Sequence, residues 1–280
     1  MSPPNYQANY QQNLTAVDRW GDLGHGSLRF AFYNCSSLRA VERKPKYLFE
    51  KMTSLAYAFM GCTSLSAVFE SMDAPLLEDV SGFCWSCSSL EYIPDRLFSK
   101  CPSLKVINGA FQYCTSLIHV SVNLFTENTE LTNASLVFAH CTNLRNGVTF
   151  YYNRKIQYFN RLYLNCTSLE IVPDYCFVNA VATAFEAVFA GCASLTSLPE
   201  HILAGAGNAS SFWQFAERSG VQSLPAGLFA DCPNAVNFIY AFARSALLAV
   251  ELPVKAFFDM CYGLRFDLQD VRRIMATCLL

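Results

Sequence analysis

One seven-residue motif recurs along this chain and limits what the chain can fold into. The pattern F-x-x-C-x-S-L occurs at residues 32–38, 59–65, 111–117, 138–144 and 189–195 in intact or nearly intact form. A second series of related motifs lies between these copies, for example at residues 98–104 and 258–264, and the two series give eighteen copies in all. Because most copies are 12 to 14 residues apart, the sequence predicts a repetitive structure rather than a single irregular core.

Two successive motifs form one structural unit. A half-repeat of about 13 residues is too short to close a coil, whereas two of them give 25–27 residues, which lies in the leucine-rich-repeat range. No single coil of this length can bury its own Phe, Cys and Leu, so neighbouring coils must cover them. About nine such units between residues 32 and 264 therefore predict a stack of coils, a solenoid.

The two halves of a unit predict different local structures. The first half reads L-x-x-φ-P, where φ is an apolar residue, as in Leu90 to Pro94, and this is typical of a short strand ended by a proline that cannot donate a hydrogen bond. Stacked coils would place these strands parallel and about 4.8 Å apart. A short helical turn is expected around L-F-x-x-C. The predicted fold class is therefore an α/β solenoid.

The ends of the stack require caps because their apolar faces have no neighbour. We predict a flexible N-terminal tail over residues 1–13, which are rich in Tyr, Gln and Asn. The solenoid is predicted to cover residues 14–265, with an N-terminal cap at 14–31 that contains Trp20. Residues 266–280 carry Val271, Ile274 and Met275 at helical spacing and predict a C-terminal cap helix.

At this level of detail the repeat resembles a known family. The F-x-x-C-x-S-L-x-x-I-P pattern, together with the entry Trp20-Gly21-Asp22, resembles the BspA-like leucine-rich repeat proteins of bacterial surfaces. The resemblance covers roughly residues 17–265. It implies a right-handed solenoid, adhesion or ligand binding without enzymatic activity, and a location at the cell surface or outside the cell. Similar repeats also occur in proteins encoded by phages and mobile elements.

Charge and hydropathy exclude several classes of partner. The net charge is −2 and no run of five like charges occurs, so we expect neither nucleic-acid binding nor a polybasic membrane patch. The longest apolar stretch, residues 180–195, has only 16 residues and contains Glu186, which argues against membrane insertion. The first 13 residues have no positive charge and no apolar block, so we expect no secretory signal peptide.

The cysteines do not predict a metal site or a redox site. Ten of the thirteen occupy the fourth position of the motif, where a small apolar side chain is needed, so we expect reduced and buried thiols. Cys84 and Cys87 form an isolated C-x-x-C, and Cys87 already occupies a motif position. None of the four histidines lies in an H-E-x-x-H motif, and His140 is expected at the surface. We expect no metal, no cofactor and no catalytic residues.

The variable residues beside each predicted strand are the candidates for function. They follow the Leu of the motif and should point outward. Charged and aromatic side chains concentrate in the first two-thirds of the stack, and Tyr and Arg are enriched at interface hot spots. An ordinary solvated face is the alternative interpretation. The predicted binding strip consists of Arg39, Glu91, Tyr92, His119, Arg145 and Glu170.

Two functions from different classes remain open. The first is a recognition or adhesion scaffold, expected to be monomeric, that binds a protein or glycan through the outward face. The second is a structural component of a larger assembly, for example one encoded by a phage or mobile element, attached through the N-terminal tail. A regular oligomer would favour the second function.

Overall fold

Parallel bridges between successive coils define the architecture. The computed structural model describes residues 11–17, 26–41 and 49–247. Within these ranges one row of bridges, ladder A, joins residues that are 25 to 27 positions apart. Each bridge pairs one residue with its equivalent in the next coil, so the solenoid predicted from the repeat period is observed. Ladder A runs through Ser27, Ser54, Asp79, Val106, Asn133, Tyr158, Ala184, Ser211 and Asn237.

A second row of bridges, ladder B, lies in the other half of each coil. Near the N-terminus it includes two short strands, β1 (Ala16–Val17) and β2 (Ala40–Val41), which pair in parallel as Ala16 with Ala40 and Val17 with Val41. Further along, the bridges of ladder B are single residue pairs: Tyr92 with His119, Asn146 with Ile171, and Ser197 with Ser223. The predicted parallel strands therefore exist, but most are reduced to one bridged residue per coil.

The segments between the ladders are turns, and the predicted helical turns are not confirmed. From residue 107 to residue 114, the N–H groups of 107, 109, 111 and 113 donate to carbonyls of the next coil, while those of 110, 112 and 114 donate to the carbonyl three residues earlier. An α-helix would need bonds to the carbonyl four residues earlier. The described ranges contain no α-helix, and the helix they do contain is a short 3-10 helix at Gln11–Asn13. The neighbouring coil supplies carbonyl acceptors that an isolated segment lacks. Hydrogen bonds to these carbonyls form in place of the bonds of a helix.

Residues in the left-handed backbone conformation allow the turn segments to form these alternating hydrogen bonds. In the coil above, Gly109 and Tyr113 have φ angles of 60° and 61°. The position equivalent to Tyr113 also has a positive φ in the next two coils, at His140 (63°) and at Asn165 (57°). Sixteen non-glycine residues of the described ranges adopt this conformation, which L-residues normally avoid. Bonding between coils therefore determines the backbone even where local preference opposes it.

Stacked aromatic rings fill the interior. Phe111, Phe138, Tyr163 and Phe189 occupy equivalent positions, and their ring centroids are 6.0, 5.7 and 5.8 Å apart in that order. All four side chains are completely buried. Tyr163 brings a hydroxyl into this stack, and its Oη accepts a hydrogen bond from the N–H of Val148 at 2.8 Å. The motif phenylalanines are thus the core contacts between coils, as predicted.

The motif cysteines also join coils by hydrogen bonds, a role the sequence did not reveal. The thiol of Cys62 donates to the carbonyl of Phe32 at 3.0 Å, and the thiol of Cys141 donates to that of Phe111 at 3.0 Å. In two coils an asparagine takes this position. The side-chain amide of Asn128 donates to the carbonyls of residues 98 and 101, and that of Asn153 donates to residues 125 and 128. This buried position therefore often carries a hydrogen-bond donor, although Met52 fills it without one.

The ends of the stack lie largely outside the described ranges. Residues 1–10 of the predicted tail, residues 18–25 of the predicted N-terminal cap and the whole predicted C-terminal cap at 266–280 belong to this part. The total number of coils and the right-handed sense of the solenoid stay predictions. Within residues 11–17, 26–41 and 49–247, no helix is long and apolar enough to span a membrane.

Candidate functional site

The residues of the predicted binding strip lie along ladder B, on the outside of the coils. All six are exposed, and the exposed fraction of Tyr92 is 46%. Tyr92 and His119 are direct bridge partners in adjacent coils, so their side chains project from the same face. Glu91, Arg145 and Glu170 hold the preceding position in their coils. Arg39 lies two coils before Glu91, beyond the coil of Ser66, and does not join this group.

Hydrogen bonds between coils fix the backbone of the strip. The N–H of Arg145 donates to the carbonyl of Ile118 at 2.9 Å, and the N–H of Glu170 donates to the carbonyl of Arg145 at 2.9 Å. The side chains of Arg145 and Glu170 form an ion pair, with 3.7 Å between Nη1 and Oε1. Both side chains are more than half exposed, so this pair adds little to stability. Its charges stay accessible to a partner.

The side chain of Asn146 makes several hydrogen bonds at the centre of the strip. The Asn146 side chain donates through Nδ2 to the carbonyl of Val120 at 2.7 Å and accepts at Oδ1 from the N–H of Val120 at 3.2 Å. These two bonds fix which amide atom is oxygen. The same Oδ1 lies 3.2 Å from Nδ1 of His119. Nδ1 must therefore carry a proton to donate to it, which leaves Nε2 of the neutral ring as an acceptor.

A groove opens beside Tyr92 and His119. It has a volume of about 720 Å³ and runs across three coils. Its floor is apolar, formed by residues such as Ile93 and Val120, whose exposed fractions are 3% and 6%. We name it the Pro94 groove. It is lined by Glu70, Ser71, Tyr92, Ile93, Pro94, Asp95, Arg96, His119, Val120 and Ser121.

The groove lies at the corner where a proline ends the strand. Pro94 has no N–H and cannot donate a hydrogen bond to the neighbouring coil. A second, smaller groove of about 340 Å³ lies at the equivalent corner of later coils, where Leu198 and Leu224 are each followed by proline. The L-x-x-φ-P pattern therefore marks the corner of the coil where grooves form.

Sequence reasoning missed several residues of this site. Glu70, Asp95 and Arg96 lie beyond the strand positions that the repeat pattern singles out, yet they line the groove beside Tyr92. Asn146 directly follows Arg145 of the predicted strip, and it is half-buried with its side chain in contact with His119. The proline in the motif was the available signal for the corner residues. No sequence signal indicated the Asn146 contact, because it joins residues 26 positions apart.

Buried thiols are poor candidates for chemistry. The eleven cysteines of the described ranges are all buried and none forms a disulfide. Burial raises the pKa of Cys141 and of Cys232 to about 12, so their thiolates are scarce at neutral pH. Cys84 of the C-x-x-C occupies the ring position of the motif, where other coils have Phe111 or Phe138. The C-x-x-C is thus a coincidence of two core positions.

Alkylation of the native protein should label few of these thiols, since iodoacetamide needs an accessible thiolate. Mass spectrometry after brief treatment at pH 7.5 measures the labelled fraction, and a sample denatured in urea provides the reference, in which nearly all cysteines should react. Rapid labelling of Cys62 and Cys141 in the native protein, or a disulfide between two motif cysteines, would contradict the burial described above.

In the part of the chain that the structure describes, His119, His140 and His201 lie in three different coils. His140, expected at the surface, is half-buried, and its ring stacks on Tyr113 at 4.3 Å between centroids. Burial lowers the pKa of His140. In residues 11–17, 26–41 and 49–247, no three His, Cys, Asp or Glu side chains lie close enough together to hold a metal ion.

Comparison with known proteins gives matches to solved structures alone. No family model matches the chain, and no curated protein matches it by sequence. A leucine-rich repeat protein from Bacteroides ovatus matches at 18% identity over 79% of this chain and 57% of that protein, with a TM-score of 0.36. The chain thus spans little more than half of that protein's length.

Two further solved structures carry the same kind of description. The leucine-rich repeat protein of T. pallidum matches at 17% identity over 79% of this chain and 71% of that one, with a TM-score of 0.28. A leucine rich cell surface protein from Faecalibacterium prausnitzii matches at 16% identity over 65% and 74%, with a TM-score of 0.16. These superpositions are loose, so the repeat solenoid of this chain is established by its own ladders and its own motif.

Proposed function

We propose that this chain is a non-enzymatic recognition scaffold that binds a protein or glycan partner through the outward face of ladder B. One observation carries the proposal. Tyr92 and His119 are exposed on adjacent coils, bridged to each other through the backbone, and border a groove large enough for a ligand. The strip and the groove together form one continuous surface at this point.

The physical character of the surface supports recognition. Its backbone is held by bonds between coils, so binding would cost little ordering of the main chain. Tyr and Arg supply large contact area and directional donors, which are typical of interface hot spots. The cysteines of the described ranges are buried, and burial raises the pKa of thiols such as Cys141 and Cys232, which leaves those thiols unsuited to nucleophilic catalysis.

Adhesion at a bacterial surface fits this reading. The F-x-x-C-x-S-L repeats resemble the BspA-like leucine-rich repeat proteins, which carry such a role. We propose that the partner is a host or microbial surface molecule outside the cell.

A combined Glu91→Ala, Tyr92→Ala, His119→Ala and Arg145→Ala variant should fold normally and lose its partner. All four side chains are exposed, so their removal should cost little stability. A partner recovered by crosslinking capture with the unmodified protein would be titrated against the variant by biolayer interferometry, and we expect binding to weaken by at least about thirtyfold, since one hot-spot truncation costs about 2 kcal/mol or more.

The matched control changes exposed residues along ladder A. Glu78 and Lys105, which form an ion pair at 2.8 Å, and the half-exposed Tyr158 would all be replaced by Ala. This variant should bind as the unmodified protein does. Equal loss in the two variants, or undiminished binding by the strip variant, would place the interface elsewhere. A regular oligomer in size-exclusion chromatography would instead support the structural alternative.

A further inference from the structure

We propose that the Pro94 groove is a subsite for a neutral oligosaccharide. This inference rests on the proposed function and names the chemistry of one part of the partner. It is argued from the shape of the groove, the types of side chain that line it and the balance of their charges. The groove is open to solvent and has a volume of about 720 Å³.

An aromatic ring stands at the edge of the groove and is half exposed. Tyr92 is the residue, with an exposed fraction of 46%, and its backbone is fixed by the bridge to His119. A pyranose ring has one face of C–H groups that is apolar enough to pack on an aromatic side chain. Tyr suits such a face because it combines an apolar body with a polar tip.

Hydrogen-bond donors and acceptors line the same groove as Tyr92. The carboxylates of Glu70 and Asp95 accept hydrogen bonds, the guanidinium of Arg96 donates them, and His119 presents Nε2 as an acceptor when its ring is neutral. A sugar hydroxyl donates one bond and accepts others, so it needs partners of both kinds. The groove offers this mixture around an apolar floor, which matches the rim and the face of a sugar ring.

The charge balance favours a neutral ligand over an anionic one. Two carboxylates at the groove would repel phosphate, sulfate or a nucleic-acid backbone. Arg96 offsets one of these carboxylates, so a Lys or Arg side chain of a basic peptide meets only one net negative charge and leaves Arg96 without a partner. A neutral ligand can use the two carboxylates as acceptors and Arg96 as a donor.

The smaller groove in the later coils provides an internal comparison. It lies at the equivalent corner but is lined by Leu198, Glu200, Ser223, Leu224, Pro225 and Ala226. It has one carboxylate, no aromatic ring and no cationic donor. The fold alone therefore produces the corner, whereas the residues at Tyr92, Asp95 and Arg96 give one corner the chemistry of a sugar site.

The test uses the purified chain and defined probes. Cellotetraose, maltotetraose, xylotetraose, chitotriose and mannotriose would be screened by saturation-transfer NMR and titrated by calorimetry, together with a heparin tetrasaccharide and a lysine-rich peptide. We expect at least one neutral oligosaccharide to bind. Asp95→Asn and Tyr92→Ala should each weaken that binding by about tenfold or more, the usual effect of losing a charge-assisted hydrogen bond or an aromatic contact.

Two control variants sharpen the result. Tyr92→Phe keeps the ring and should stay within about threefold of the unmodified protein, since a neutral hydrogen bond contributes little net energy. Glu200→Gln in the smaller groove should leave affinity unchanged. Circular dichroism would confirm that every variant folds.

Several outcomes would overturn the inference. The first is that no neutral oligosaccharide binds at millimolar concentration. The second is that oligosaccharide binding survives in both groove variants. The third is that the heparin fragment or the peptide binds more tightly than any neutral oligosaccharide and that the groove variants abolish this binding. If the strip variant loses its captured partner while no oligosaccharide binds, the proposed function stands and the saccharide subsite fails.

Discussion

Raising the pH from 7.5 to about 9.5 should remove most of the free energy of unfolding of this protein. Many buried core side chains are cysteine thiols, and these ionise once unfolding exposes them to water. Eight cysteines have fully buried side chains and a pKa raised by burial. An exposed thiol in the unfolded chain has a pKa of about 8.5. The eight residues are Cys62, Cys84, Cys114, Cys141, Cys166, Cys176, Cys192 and Cys232.

The direction follows from proton linkage. Each thiol has a higher pKa in the folded state, so the unfolded state releases protons first as the pH rises. The stabilisation is complete below about pH 8.5 and is lost between there and the folded pKa, which is about 12 for Cys141. At pH 9.5 each thiol contributes a loss of about 1.4 kcal/mol, or about 11 kcal/mol for eight. The whole free energy of unfolding of a typical protein is about 5–15 kcal/mol.

Urea unfolding followed by circular dichroism, in the presence of a phosphine reductant, would measure this loss at pH values from 7 to 10. A Cys141→Ala, Cys192→Ala variant is the control. It starts less stable at pH 7, but its free energy of unfolding should fall less steeply above pH 8.5, by about 1.4 kcal/mol per pH unit for each thiol removed. A midpoint that does not move between pH 7.5 and 9.5 would mean that the thiols are not buried in the folded protein.

Replacing Phe111 by Ala should destabilise the protein by about 3–5 kcal/mol, the usual cost of emptying a large core position. The ring is completely buried. It stacks on Phe138 at 6.0 Å and lies against Phe83 and Phe98 at 6.4 and 6.3 Å. Because these rings belong to three coils, the cavity would weaken two interfaces between neighbouring coils at once.

Arg39→Ala is the matched surface change and should cost well under about 1 kcal/mol, since Arg39 is exposed beside ladder B. Urea unfolding at pH 7 compares the two variants with the unmodified protein. Phe111→Leu should fall between them, because it keeps much of the apolar volume. Similar losses for Phe111→Ala and Arg39→Ala would show that the inside and outside of the coil are wrongly assigned.

The repeat motif by itself determined the general plan of the molecule. Phe111, Cys114 and Leu117 recur at one position of a short period, and only stacked coils can bury all copies of such a set. The same periodicity placed Tyr92 and His119 on one outward face. Burial depends on which side of a coil a residue faces, and local spacing encodes that side.

The tertiary structure alone decided the hydrogen bonding between coils. The turn segments form no helix because Phe111 and Tyr113 donate to the next coil, and the side chain of Asn128 donates to the preceding coil where other coils have a cysteine. Asn146 orients His119 through Val120, and Glu70 reaches the groove beside Asp95. Each of these contacts joins residues about 25 positions apart or more. Sequence periodicity reports which residues recur at such distances, but only the stacked coils determine which atoms of those residues meet.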